Sequence, residues 1–194
     1  MNDRYRVKEE IIERAYQKLL SSGITETTAN YLADISGVSK RTFYKYFPSV
    51  DEFLNQLMDY IKNQVHNEFA SVLQSSNKNY LLSVKSLFKN LPKAYGKNFE
   101  NFMIHLHKQR PDLIKSFLDF RKNEFDLILE KLINLPEVNL KKRKLNKRVT
   151  RDILINLFEK MATPYYIAET GESMDTVVHT ISEIFFHGII TENE

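Results

Sequence analysis

Residues 37–47 read GVSKRTFYKYF, a run that gathers Lys40, Arg41 and Lys45 together with Phe43, Tyr44, Tyr46 and Phe47. If Ser39 caps a helix, its hydroxyl accepts from a free backbone N–H of the first turn, and the following residues step around the axis at about 100° each. Phe43 and Phe47 then stack at i, i+4 on one side. Lys40 with Tyr44, Arg41 with Lys45, and Thr42 with Tyr46 fan around the rest, with Arg41 and Lys45 roughly opposite the phenylalanines. Such a helix has an apolar anchor and a basic, hydrogen-bonding outer face. An element inserted into a nucleic-acid groove needs both, since Lys and Arg meet phosphates and guanine edges while Thr and Tyr add neutral contacts. Taken alone, the stretch fits an ordinary amphipathic surface helix equally well.

The flanking sequence decides between these readings. Residues 5–21 carry Val7, Ile11, Ala15, Leu19 and Leu20 on one stripe, and Gly23 supplies the stop signal. Thr28 is positioned to cap a short second helix over 29–36, with Leu32, Ala33 and Ile35 turned inward and Gly37 ending it. Pro48 closes the third helix. A longer helix followed by two short ones joined through a tight glycine turn is the helix-turn-helix arrangement, and here the second of the pair carries the basic face.

Apolar residues recur at helical spacing through the rest of the chain, and only 5 Gly and 5 Pro interrupt it, so the expected fold is all-α. A long helix is predicted from Ser49 to about Val72, with Asp51 and Glu52 in its first turn where the dipole favours acids. Further helices are expected over 80–91, broken by Pro92 and Gly96, over 98–107, and from Pro111 to about Leu135. Two strongly apolar helices, 148–169 and 173–190, end the chain. Pro164 is expected to kink the first of them. Their size suits a subunit interface as well as an internal core.

The chain has 194 residues, enough for a small module attached to a larger one, and a net charge of +3. That charge excludes an indiscriminate, highly basic nucleic-acid binder and allows a specific one with its cations on one face. Without cysteine there is no disulfide, thiolate chemistry or cysteine-ligated metal. The amino terminus has no apolar signal region and no stretch approaches a membrane span, so a soluble, cytoplasmic protein without membrane contact is expected. Of the five histidines, His105 and His107 are two apart and point to nearly opposite sides of a helix, and neither an HExxH nor a GxSxG motif is present. No enzyme activity, metal or cofactor is expected. Residues 141–151, KKRKLNKRVTR, hold seven basic side chains and no acid. A solvated linker running into a helix start explains them better than a second DNA contact, and the acids of residues 152–194 can neutralise them.

Residues 10–54 resemble the TetR family of bacterial transcriptional regulators. The pairs Thr27-Thr28, Leu32-Ala33 and Tyr46-Phe47, and the triplets Gly37-Val38-Ser39 and Thr42-Phe43-Tyr44, fall at the family's relative spacings, and the all-helical remainder has the family's length. The resemblance implies a helix-turn-helix DNA-binding domain over 1–48 and a helical effector-binding and dimerisation domain over 49–194. It implies a homodimer with the recognition helix in the major groove of double-stranded operator DNA and the last two helices forming a four-helix interface. Thr28, Lys40, Tyr44 and Lys45 would hold phosphates, and Arg41, Thr42 and Tyr46 would face base edges. Val50 stands where many members have a lysine, which removes one expected phosphate contact.

For the interface the expected residues are Ile153, Leu157, Val177, Ile181, Ile184, Phe185 and Gly188. For a small apolar or amphiphilic effector they are Phe99, Phe102, His105 and Tyr165, polar groups set among aromatics. A histidine or tyrosine hydrogen-bonded within the core explains either polar residue as well. The functional expectation is a repressor released by that effector. The alternative is a helical dimeric protein-interaction module without effector control, which leaves the basic recognition face unexplained.

Overall fold

The computed structural model describes residues 3–136, 138, 140 and 144–189, and among them every regular element is an α-helix. The stripe that stops at Gly23 is α1 (Asp3–Ser22), and the helix-turn-helix pair is α2 (Ala29–Ile35) and α3 (Lys40–Tyr46). There follow α4 (Val50–Leu73), α5 (Asn77–Gln109), α6 (Pro111–Leu132), α7 (Lys147–Met161), α8 (Pro164–Thr170) and α9 (Met174–Ile189). No helix among the described residues is long and apolar enough to cross a membrane. Residues 141–143 of the basic run, and residue 190 at the expected end of the last helix, lie outside the described residues.

Two expectations about helix breaks are corrected. Pro92 does not end a helix: α5 continues through it, since an interior proline removes one backbone hydrogen bond and bends the chain without having to stop it. The interruption falls at Gly96 alone, whose φ of 49° and ψ of −175° lie in a region that glycine occupies almost exclusively. Pro164, expected as a kink, instead begins a separate helix. Thr163 caps α8 by accepting from the Tyr166 N–H at 3.2 Å, and Pro164 sits in the first turn, where a missing N–H costs nothing.

The chain divides into two compact units. The first comprises Met1–Gln64 and Tyr95–Phe117, so the helix-turn-helix packs in one body with the start of α4, the far part of α5 and the start of α6. Its core is built from Ile11, Ala15, Leu19, Leu32, Phe43, Phe47 and Phe53, all essentially inaccessible. Asn98 donates to the Leu20 carbonyl at 3.0 Å, tying α5 to the end of α1. The second unit comprises Val65–Ala94 and Leu118–Glu194, with α7 packed on α8 and α9. The Phe88, Phe125, Phe158 and Phe186 rings meet at its centre. Tyr80 is fully buried there and its hydroxyl donates to the Ile128 carbonyl at 3.0 Å. Lys131 closes the end of α4, donating to the Leu73 and Ser75 carbonyls at 2.8 and 3.1 Å, while its ammonium lies 4.2 Å from the Tyr80 ring.

Candidate nucleic-acid interface

Each element of the helix-turn-helix is fixed by a local backbone device. Thr28 caps α2, its hydroxyl accepting from the Tyr31 N–H. Ser36, fully buried, returns its hydroxyl to the Leu32 carbonyl at 2.6 Å. Gly37 then turns the chain at φ 70°, and the Val38 N–H closes on the Ala33 carbonyl at 3.0 Å, so the left-handed cap predicted from the sequence is formed. A side chain at Gly37 would meet both this backbone strain and the Arg14 guanidinium, 3.4 Å from the position of an added Cβ. Ser39 caps α3 through the Thr42 N–H at 3.1 Å.

The anchor side of α3 is aromatic. Phe43 and Phe47 are inaccessible, their rings 5.4 Å apart, and Phe53 of α4 lies 5.1 and 4.9 Å from the two. Burial of each phenylalanine is worth about 1.5–3 kcal/mol, which is what holds the short helix in one orientation. Opposite the anchor, Lys40, Arg41, Tyr44 and Lys45 are exposed, and Thr42 and Tyr46 are half-buried. Thr42 shares a hydrogen bond with the capping Ser39 hydroxyl at 2.9 Å, and the Lys45 ammonium rests 5.5 Å from the Tyr46 ring. Thr28 is exposed beside them in sequence at the start of α2, and Val50, half-buried, opens α4.

Three supports of this face escaped the sequence reading. Arg4 of α1 donates to the Lys45 carbonyl at 3.2 Å, placing a cation at the carboxyl end of α3. Lys8, one turn further along α1, lies 5.3 Å from the Phe47 ring. The Thr27 hydroxyl donates to Gln109 Oε1, and the Gln109 amide in turn meets His105 Nε2 at 3.2 Å, so the loop before α2 is tied to the end of α5. Beside that junction Arg110 bonds Asp51, Asn55 and Asp112, at 2.9, 3.0 and 2.7 Å. The hydrogen bond from Arg110 holds the Asp112 carboxyl below its usual range. Only pairwise chemistry of this kind could have signalled these contacts, and the partners lie up to 82 residues apart.

The four residues expected around an effector are divided between the two units. Phe99 and Phe102 are buried in the first unit, with Phe99 6.0 Å from Phe117, and His105 is the half-buried partner of Gln109 just described. Tyr165 belongs to the second unit and is exposed. A groove of about 360 Å³ lies in the first unit, lined by residues that include Tyr5, Glu9, Ile12, Asp59 and Tyr60, and its charged walls differ from the apolar space expected for an effector. Burial raises the Tyr60 hydroxyl above its ordinary range, with Glu13 and Glu9 adding to the shift.

The expected interface residues separate into two sets. Val177, Ile181 and Phe185 are buried within their own chain, whereas Ile153 and Ile184 are 54% and 65% exposed, Gly188 is exposed and Leu157 is half-buried. Val149, one turn before Ile153 on α7, is also exposed and was not anticipated. Within the described part of the basic run, Arg151 pairs with Asp126, and Lys147 donates to Asn134 at 2.8 Å.

Residues 11–57 match the family profile described as "Bacterial regulatory proteins, tetR family". The chain thus carries a segment of the TetR-family type. It is 23% identical over 167 residues to the uncharacterized HTH-type transcriptional regulator YvaF of Bacillus subtilis (strain 168), covering 86% of this chain and 87% of that protein. Thermus thermophilus FadR, a TetR-family transcriptional repressor in complex with lauroyl-CoA, shares the fold with a TM-score of 0.54 at 19% identity, over 96% of this chain and 97% of that one. NalD, the secondary repressor of the MexAB-OprM multidrug efflux pump in Pseudomonas aeruginosa, aligns over all of both chains with a TM-score of 0.55 and 14% identity. The TetR-type reading domain therefore sits on an all-helical chain of TetR-family fold, and the protein is a transcriptional regulator.

Proposed function

We propose that the chain acts in the cytoplasm as a homodimeric repressor, with residues 1–48 binding operator DNA and residues 49–194 dimerising and receiving a small apolar or amphiphilic effector that releases the DNA. The observation that carries the DNA-binding part is the geometry of α3, a capped helix pinned by Phe43 and Phe47 with Lys40, Arg41, Tyr44 and Lys45 on its outer face. In this reading Thr28, Lys40, Tyr44 and Lys45 contact phosphates, while Arg41, Thr42 and Tyr46 face the bases. A protein-interaction module has no use for that distribution of cations. The amphiphilic effector draws support from the FadR likeness, since that protein holds an acyl-CoA. Dimerisation draws support from exposed Val149, Ile153 and Ile184 on α7 and α9, which pack against each other.

The test begins with selection of bound fragments from a random duplex pool, followed by salt-dependent binding to the selected site. Lys45→Ala should weaken binding to all duplexes and make the salt dependence shallower. Arg41→Ala should relax preference at particular base pairs, a good base contact being worth about 1–3 kcal/mol. Parental binding by both variants would refute the assignment.

A further inference from the structure

The groove of about 360 Å³ in the first unit has no part in the proposed reading of DNA. One wall carries Tyr5, Glu9 and Ile12 of α1, and the other Gln56, Asp59 and Tyr60 of α4. On each helix these residues recur three or four positions apart, so each turns a single stripe toward the groove. A seam between two packed helices ordinarily closes over apolar side chains at such positions. Here Ile12 is buried as that rule requires, and the Tyr60 ring meets the Tyr16 ring at 5.3 Å. Tyr5 is nevertheless 61% exposed, and Glu9 and Asp59 stand where apolar residues would complete the seam. Carboxylates cannot be packed dry against the facing helix, so the stripes leave a solvent-filled groove between them.

The groove is negative on balance. Glu9 and Asp59 make no ion pair or hydrogen bond among the described residues, whereas Glu10, next along α1, pairs with Arg6 at 3.7 Å. Lys8 also lines the groove, but its ammonium is turned to α3, 5.3 Å from the Phe47 ring. Glu13 and Glu9 both add to the upward shift that burial imposes on the Tyr60 hydroxyl, so their field reaches the aromatic wall.

We propose that this groove binds a small organic cation, an ammonium group carried on an apolar body. The ammonium lies between the Glu9 and Asp59 carboxylates, and the body covers Ile12 and the Tyr5 and Tyr60 rings. Tyrosine faces suit both parts, since they attract a cation and accept apolar surface. The volume is at the lower end of small-molecule sites, which favours a compact amine over a long-chain amphiphile. A metal ion would lack donors, because no three His, Asp or Glu side chains converge among the described residues. This site goes beyond the effector-controlled reading above and does not rest on it. If the two stripes were only solvated polar faces, the charge of a small aromatic molecule would not affect its binding.

The experiment titrates the full-length protein by calorimetry at low salt. It compares 2-phenylethylamine, protonated at neutral pH, with 2-phenylethanol, which keeps the ring and loses the charge. Benzyltrimethylammonium forms a third arm: it keeps the charge without N–H donors, and so separates a primary amine held by carboxylates from a quaternary cation held by rings. At least one cation should bind about fivefold or more tighter than the alcohol, the worth of an exposed cation–ring contact together with a surface charge pair. Glu9→Gln combined with Asp59→Asn should abolish the preference, and Tyr5→Ala should weaken both cations. All three positions are exposed, so thermal melting close to that of the parent reports that the variants are folded. Glu10→Gln removes a carboxylate from the same stretch of α1 outside the groove and should leave the preference unchanged. The assignment is overturned if neither cation outbinds the alcohol in the parent, a comparison that needs no variant, or if the double variant keeps the preference. It is equally overturned if Glu10→Gln lowers the preference as much as Glu9→Gln alone, since the cations would then be answering the general field of the helix surface.

Discussion

At the scale of single residues, the proposed DNA-reading surface depends on side chains to which the sequence pattern gives no part in it. Arg4 is 41 positions from Lys45, yet its guanidinium meets the carbonyl at the end of α3, where the helix dipole favours a cation. Replacing Arg4 by Ala should lower thermal stability only slightly, by the roughly 0.3–1 kcal/mol typical of an exposed charge at a helix end. Its larger effect should be on discrimination, narrowing the affinity ratio between a selected and a random duplex with the salt dependence unchanged, because a looser α3 misplaces Arg41 and Thr42. A salt slope shallower by about 0.9 per subunit would instead make Arg4 a phosphate ligand. The residues of α3 itself were legible because period, cap and anchor all reside within eleven positions. Arg4, Gln109 and Arg110 were not, since an arginine or glutamine on a wet helix face looks the same whether or not a distant carbonyl or hydroxyl comes to meet it.

At the scale of elements, helix existence followed from apolar periodicity, while helix ends followed only where a cap and a glycine agreed. Gly37 and Ser39 delimit α2 and α3 as expected, because positive φ and a first-turn acceptor are local demands. The prolines misled the reading at 92 and 164, since proline is tolerated in a first turn and can be carried through a helix, and sequence alone does not say which applies. Gly96 is the position where the backbone truly leaves the helix. An added Cβ there would meet nothing within 4 Å, so any effect of Gly96→Ala must come from the backbone conformation and not from a clash. Forcing alanine into that region should cost on the order of 1–3 kcal/mol. Chemical denaturation of the purified variant measures this directly. A change below a few tenths would mean that α5 re-forms through residue 96 at no cost.

At the scale of the whole molecule, the exposure of α7 and α9 changes which substitution tests dimerisation. From the sequence Ile181 looked like an interface residue, but it is 2% exposed within a single chain, beside Val177 and Phe185. Ile181→Glu would bury an unpaired carboxylate in the fold itself, and a loss of dimer in that variant would follow from unfolding. Ile184 is the informative position, because it is 65% exposed and lies on the same face as Gly188, while Ile153 and Val149 form a matching exposed line on α7. Ile184→Glu should leave the helical content and melting of the isolated chain nearly unchanged, since surface substitutions usually stay within about 0.5 kcal/mol. In a dimer that closes over this face, the same carboxylate is desolvated in both copies, so sedimentation should show monomers. Affinity for the selected duplex should collapse with it, because two recognition helices can address half-sites about one helical turn apart only while the interface fixes their separation. A variant that remains dimeric and binds DNA as the parent does would move the interface off this face of α7 and α9. A variant that becomes monomeric yet binds with parental affinity would show that each α3 reads its half-site alone.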